Sequence, residues 1–383
     1  MPADYKSPAM SGVRAFSPAM NAVLVLASVP GTLALGPASL WASRGVLRPV
    51  LSRPVSAVRM AHAHALEPVE RRFRLRSYGS PRAARATRGA RAVRALAGAA
   101  GASPLGVNFI AAWLLKAVDA LSTPSLPAAL ALNTLLATWG MLKGQQMLTN
   151  AGLLHAWILG VVLWSTLGPR GWWLCVLYLA CGSAVTKVGK SRKEALGIAE
   201  GRGGRRGPEN VWGSAAAATI CALGCRFYPA LSLALMGQRG GAVAWGLEVA
   251  YVASLATKLS DTCASEIGKA YGRTTYLITT FKKVPKGTEG AVSLEGTLAG
   301  VVGSIVIAVA AWCVGMVSAF DGLIALFAAF VATNCESVIG ATAQGKVKWL
   351  TNEVVNFFNT AIGAVLAFAL WRASLQLRGI VVL

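Results

Sequence analysis

The sequence predicts an all-α fold: a polytopic integral membrane bundle of about 8 transmembrane helices, within a range of about 7 to 9. Three observations carry this. Residues of the AVILMFWYC set make up 55% of the 383 positions and charged residues only 14%, against about 25% charged in ordinary soluble domains. Mean hydropathy is +0.55, an apolar excess that one aqueous core cannot hide. The apolar residues also recur in runs near the roughly 20 residues that a helix needs to cross about 30 Å of hydrocarbon.

Charge divides the chain in two. The formal net charge is +22, and more than half of it sits in the first hundred residues. Acids there are confined to Asp4, Glu67 and Glu70, while arginines cluster as in Arg71-Arg72-Phe73-Arg74-Leu75-Arg76. A basic, acid-poor, Ala/Ser/Pro-rich leader suits an organelle transit peptide and cannot build a core. Residues 1–100 are therefore read as a disordered transit peptide and basic linker, and 101–383 as the multi-span domain. A secretory signal over 21–35 is the weaker reading, because that run starts late and is interrupted by Pro30 and Gly31. The tail lacks the aromatic interleaving of RNA-binding arms, so no nucleic-acid partner is expected.

The expected spans are 126–142, 153–168, 172–187, 211–229, 242–258, 295–317, 320–337 and 354–371. A ninth over 105–121 is interrupted by Lys116 and Asp119. By parity, segments 143–152, 188–210, 259–294 and 338–353 share one face. That face collects sixteen basic residues after position 100 and the opposite face five, which places the first on the cytoplasmic or stromal side. The seven cysteines form no CxxC pair, and His155 is the one histidine after residue 100. A histidine-based zinc site or a Ser-His-Asp triad is thus unsupported.

Four polar blocks open onto the basic face. The first runs from Lys187-Val188-Gly189-Lys190 through Lys193, Arg202, Arg205 and Arg206 to Asn210. Glycine N–H groups ringed by cations suit an oligophosphate, and the plainer reading is an ordinary positive-inside loop. Its A-x-x-x-x-G-K-S string is not a P-loop, since it ends an apolar helix rather than following a sheet strand.

In the second block Asp261, Thr262, Ser265 and Glu266 occupy about 140° of a helix. Two carboxylates and two hydroxyls there can hold Mg²⁺, which takes one or two carboxylates plus substrate phosphates. The alternative is a capped, solvated helix end. The third block carries Lys283, Lys286 and Thr288 before a long apolar helix, an arrangement that suits phosphate or a simple turn. The fourth pairs Asn334 and Glu336 with Glu353 and a stripe of Asn352, Asn356 and Asn359. Such groups are costly in a bilayer unless they face a partner or a polar cavity.

The strings GSAVTKVGKSRKEALGIAEGRGGRRGPENVWGS, SDTCASEIGKAYGR, ITTFKKVPKGTEGAVSLEGTLAG and NCESVIGATAQGK followed by NEVVNFFNT resemble the family of small multi-span membrane proteins that includes the plastid phytyl-phosphate kinase of the tocopherol pathway. The resemblance spans about 148–370 and implies a membrane kinase domain. It would move a phosphoryl group from a nucleoside triphosphate, CTP foremost, to phytyl monophosphate, giving phytyl diphosphate for tocopherol and phylloquinone synthesis. With the leader it implies a chloroplast membrane, envelope or thylakoid, with the polar loops facing the stroma.

Roles follow from physics. Asp261 and Glu266, with Glu336 and Glu353, are the expected Mg²⁺ carboxylates. Lys187, Lys193, Arg202, Arg205 and Arg206 are expected on the triphosphate, with Asn210 and Thr288 as further phosphate contacts, and Lys283 and Lys286 on the acceptor phosphate. Asn334, Asn352 and Asn356 form a polar helix stripe. Two alternatives are a prenyl-alcohol kinase, whose hydroxyl acceptor benefits from a base, and a transporter of phosphorylated or isoprenoid compounds. Against transport, the sequence carries no inverted repeat.

Overall fold

Short capping residues start the long helices of this chain. In the computed structural model, which describes residues 123–142, 147–199, 204–236 and 240–377, Thr149 accepts from the Gly152 N–H at 3.0 Å and Ser293 from the Gly296 N–H at 3.1 Å. Ser318 and Asp321 form a reciprocal capping box. Each satisfies a backbone donor that would otherwise face the membrane boundary unpaired.

The elements in order are α1 (Leu126–Leu142), α2 (Asn150–Thr186), α3 (Lys190–Ala195), α4 (Pro208–Met236), α5 (Gly241–Tyr271), β1 (Tyr276–Leu277), β2 (Ala291–Val292), α6 (Leu294–Cys313), α7 (Ala319–Thr342) and α8 (Asn352–Leu377). The strands pair antiparallel as a small hairpin between α5 and α6. Among the described residues five helices, α2, α4, α6, α7 and α8, are long and apolar enough to cross a membrane.

Helix α2 is not one straight rod. At Gly168 the backbone leaves the helical region, with φ 73° and ψ −164°, and Pro169 supplies no N–H to continue the ladder. Trp164 and Trp172, on either side of the break, stack edge-on with centroids 5.4 Å apart. Both ends of α2 return to the same place: the Thr149 N–H donates to the Arg206 carbonyl at 3.0 Å, and a Cβ built on Gly182 would lie 2.9 Å from the Arg206 guanidinium. The helix is therefore a hairpin of two legs, matching the separate spans expected at 153–168 and 172–187. Each of the eight expected spans falls on a helix or helix leg, with 295–317 overrunning the end of α6 at Cys313. The ninth candidate, 105–121, and the leader 1–100 lie outside the described residues.

Helix α5 is the axis of the bundle, touched by α2, α4, α6, α7 and α8 and buried without a break from Val249 to Cys263. Its expected span, 242–258, is too short. The helix continues through the Asp261 block to Tyr271, so that block lies inside the bundle rather than at a frayed end. Small residues allow this burial. Gly296, Gly300 and Gly303 of α6 pack on α5, and a Cβ at Gly296 would come within 2.5 Å of the Ala264 carbonyl oxygen. Close backbone approach through small residues is how helices associate where lipid offers no hydrophobic drive.

Candidate functional site

The polar blocks meet because α5 carries one and the other helices lean on it. A cavity of about 400 Å³ opens among the N-terminal end of α4, the second half of α5, the β-hairpin loop, α6, the C-terminal half of α7 and the start of α8. Of the four segments that sequence parity places on one face, 188–210, 259–294 and 338–353 contribute residues to its wall, and from 143–152 the Thr149 N–H donates to the carbonyl of Arg206 on that wall.

At the wall, the Lys258 ammonium donates to Asp261 Oδ2 at 2.5 Å and to Asn356 Oδ1 of α8 at 2.6 Å. Glu336 of α7 lies beside Asp261 and within electrostatic reach of Lys258. Two adjacent carboxyl groups repel unless a cation lies beside them, and Lys258 supplies one positive charge. Lys258, 7% exposed, is a wall residue that the sequence reading does not single out, since the expected span 242–258 ends on it. A lysine one turn before an aspartate in an apolar helix is the signal that points to it.

The structure regroups the expected metal carboxylates. Glu266 faces α3 and bonds to the Lys193 ammonium, both side chains being almost fully buried. Lys193 also donates to the Thr186 carbonyl at 2.8 Å, and Lys269 lies 3.7 Å from the other Glu266 oxygen. Lys193 is thus a buried strut that clamps α3 to α5 and does not line the cavity. Glu353 accepts from the Asn210 amide at 3.3 Å, tying α8 to α4. Among the described residues no three His, Cys, Asp or Glu side chains converge, so Asp261, Glu266, Glu336 and Glu353 do not form one cage. All four line the same cavity, and of them Asp261 and Glu336 are neighbours across α5 and α7.

Of the remaining expected residues, Arg205, Arg206, Asn210, Thr288, Asn334, Asn352 and Asn356 line the cavity. Arg206 donates to the Tyr178 hydroxyl and packs over that ring, 5.4 Å from its centroid, which fixes its direction. Lys187 and Lys283 are exposed and Lys286 half-buried, and none of the three is on the cavity wall. Arg202 lies outside the described residues. Asn359, next in the asparagine stripe, is fully buried, with neither amide atom bonded among the described residues. His155 accepts from the Trp212 indole at 2.8 Å, far in role from any ligand cluster.

Five carboxylates and four cations line the cavity. A polyanion entering alone would meet no net attraction there. One arriving with a divalent cation finds carboxylates for the metal and arginines for its oxygens, which is the donor set Mg²⁺ uses when phosphates complete its shell.

The family profile described as Integral membrane protein DUF92 matches residues 131–364, a stretch that holds every residue of the cavity wall. An uncharacterized membrane protein of Synechocystis is 52% identical over 246 residues, 63% of this chain and 90% of its own length. Protein VTE6, chloroplastic, of Arabidopsis thaliana is 42% identical over 257 residues, 67% of this chain and 74% of its own. An uncharacterized membrane protein of Methanocaldococcus jannaschii is 31% identical over 234 residues, 60% and 89% of the two chains. No solved structure matches the chain. This chain belongs to the DUF92 family of integral membrane proteins.

Proposed function

We propose that the protein is a phytyl-phosphate kinase of a chloroplast membrane, moving the terminal phosphoryl group of a nucleoside triphosphate, CTP foremost, onto phytyl monophosphate. The observation that carries the reading is the Asp261 and Glu336 pair, braced by Lys258 and Asn356, in the wall of a polar cavity inside a membrane bundle. Similarity to the chloroplastic VTE6 protein supports the compartment, and the basic leader, read as a transit peptide ahead of a kinase domain, agrees with it.

Phosphoryl transfer asks a protein mainly to position reactants in line and to neutralise charge. Asp261 and Glu336 would hold Mg²⁺, which when bound screens the charge of the donor phosphates. Arg205 and Arg206 meet phosphate oxygens, with Asn210 and Thr288 as neutral donors on the same wall. Lys258 orients Asp261, and Asn356 holds Lys258 in turn. An oxygen of the acceptor phosphate attacks the terminal phosphorus as the bond to the bridging oxygen breaks, leaving nucleoside diphosphate and phytyl diphosphate. A phosphate monoester is already anionic near neutral pH, so no general base is required. The prenyl chain remains among the helices and lipid, where each buried CH₂ contributes about 0.8 kcal/mol.

Full-length protein in liposomes, given labelled CTP, UTP, GTP or ATP with phytyl phosphate, is expected to form phytyl diphosphate. Asp261→Asn is expected to lower turnover by about 10²-fold or more; turnover near that of the parent chain would reject the site. Phytol in place of phytyl phosphate tests the alcohol-kinase alternative, and uptake of phosphate esters without nucleotide turnover would favour transport.

A further inference from the structure

We propose that the cavity has a second, lateral mouth between α6 and α7, and that the acceptor, a single-chain isoprenoid phosphate monoester, enters through it from the bilayer with Phe330 as the residue that guides its chain. This rests on the kinase reading for the identity of the ligand.

Phe330 belongs to two surfaces at once. It is on the cavity wall and is also 39% exposed on an apolar helix long enough to span a membrane. From it Thr333, Asn334 and Ser337 follow at helical spacings that keep one face, and all three line the cavity. Asn334 donates its amide to the Phe330 carbonyl at 2.8 Å, and its Oδ1 takes no hydrogen bond from the described residues. Across the gap, Thr297 of α6 lines the same space.

A polar strip within a span is costly unless it borders water or a polar ligand. This strip begins at the cavity and ends at a half-exposed phenyl ring. The flanking surface is apolar, with Leu298 57%, Val302 60% and Phe327 53% exposed, as lipid-facing residues are. At 1.5 Å per residue, Phe330 lies about 9 Å along α7 from Glu336 and about 18 Å from the Thr342 end. A phosphate held near Glu336 therefore places the first part of its chain against Thr333, Asn334 and Phe330, and the remainder in the bilayer. A polar head and an apolar chain are the two chemistries this path offers, in that order.

The test uses the full chain in liposomes. Phe330→Trp narrows the lateral mouth and is expected to raise KM for phytyl phosphate at least tenfold, leaving KM for nucleotide unchanged. KM for a short water-soluble acceptor such as dimethylallyl phosphate, which reaches the site through the aqueous mouth, is expected to change less than twofold. Val365→Trp, on the exposed outer face of α8, should alter neither. Equal loss toward both acceptors, or no change toward phytyl phosphate, overturns the lateral path. Cross-linking on the unsubstituted protein needs no turnover: phytyl phosphate carrying a diazirine near its head is expected to label α7 around 327–334 or α6 around 297–302. Label confined to other helices also overturns the path. If label appears there and no acceptor is phosphorylated, the kinase reading fails while the lateral site stands.

Discussion

Replacing Lys258 by Met keeps the length of the side chain and removes the ammonium group that bonds to Asp261 at 2.5 Å and Asn356 at 2.6 Å. Lys258 and Asp261 are each only 7% exposed, and Glu336 lies against Asp261. The substitution leaves two carboxyl groups facing each other with their nearest cation gone. Breaking a buried pair by removing one partner costs about 3–5 kcal/mol. The cavity beside this pair admits water, so the lower end, about 3 kcal/mol, is the expected loss. Adding Asp261→Asn removes the orphaned charge and should return about 1 kcal/mol or more, a coupling within the range for residues in one network. The assay is reversible unfolding of the purified chain in mixed micelles, comparing parent, single and double variants. A Lys258→Met stability within about 0.5 kcal/mol of the parent, the span of an ordinary surface substitution, would refute the ion-pair account.

Other substitutions separate structure from chemistry. Glu266→Gln strands Lys193 in a nearly dry setting and should destabilise by about 3 kcal/mol, with turnover at permissive temperature staying within a few-fold of the parent, in contrast to Asp261→Asn. Gly296→Leu drives a side chain into the Ala264 carbonyl, which a Cβ alone would approach to 2.5 Å; loss of monodisperse protein in size-exclusion chromatography is the expected readout. Mg²⁺ is expected to raise the unfolding midpoint of the parent through binding linkage and to lose most of that effect in Asp261→Asn. Lys283→Ala and Lys286→Ala, off the cavity wall, should change KM for either substrate less than Arg205→Ala does.

The helices were legible because bilayer thickness imposes a length and an apolar composition that a local window can read. The α2 hairpin was legible too: two short apolar runs separated by Gly168 and Pro169 cannot form one straight span. Convergence of the polar blocks followed from counting crossings. Which charge meets which was not legible. Lys193 and Lys187 look alike in a basic loop, yet a glutamate on another helix takes the first and solvent takes the second. Glu336 as the neighbour of Asp261 depends on how α7 leans on α5, which no spacing encodes. Lys258 is not legible as a site residue because composition reads it as the edge of a span, whereas the helix continues past it for more than three turns.

The arrangement depends on the polar segments sharing one aqueous compartment. In a cysteine-free background, Asn210→Cys, Thr288→Cys and Asn352→Cys, each labelled in sealed vesicles of known orientation with a membrane-impermeant maleimide, measure this directly. All three are expected to react from the same side, and from the side opposite to Arg372→Cys, which sits near the far end of α8 from Asn352. Reaction of any two of the first three from opposite sides would contradict a shared site.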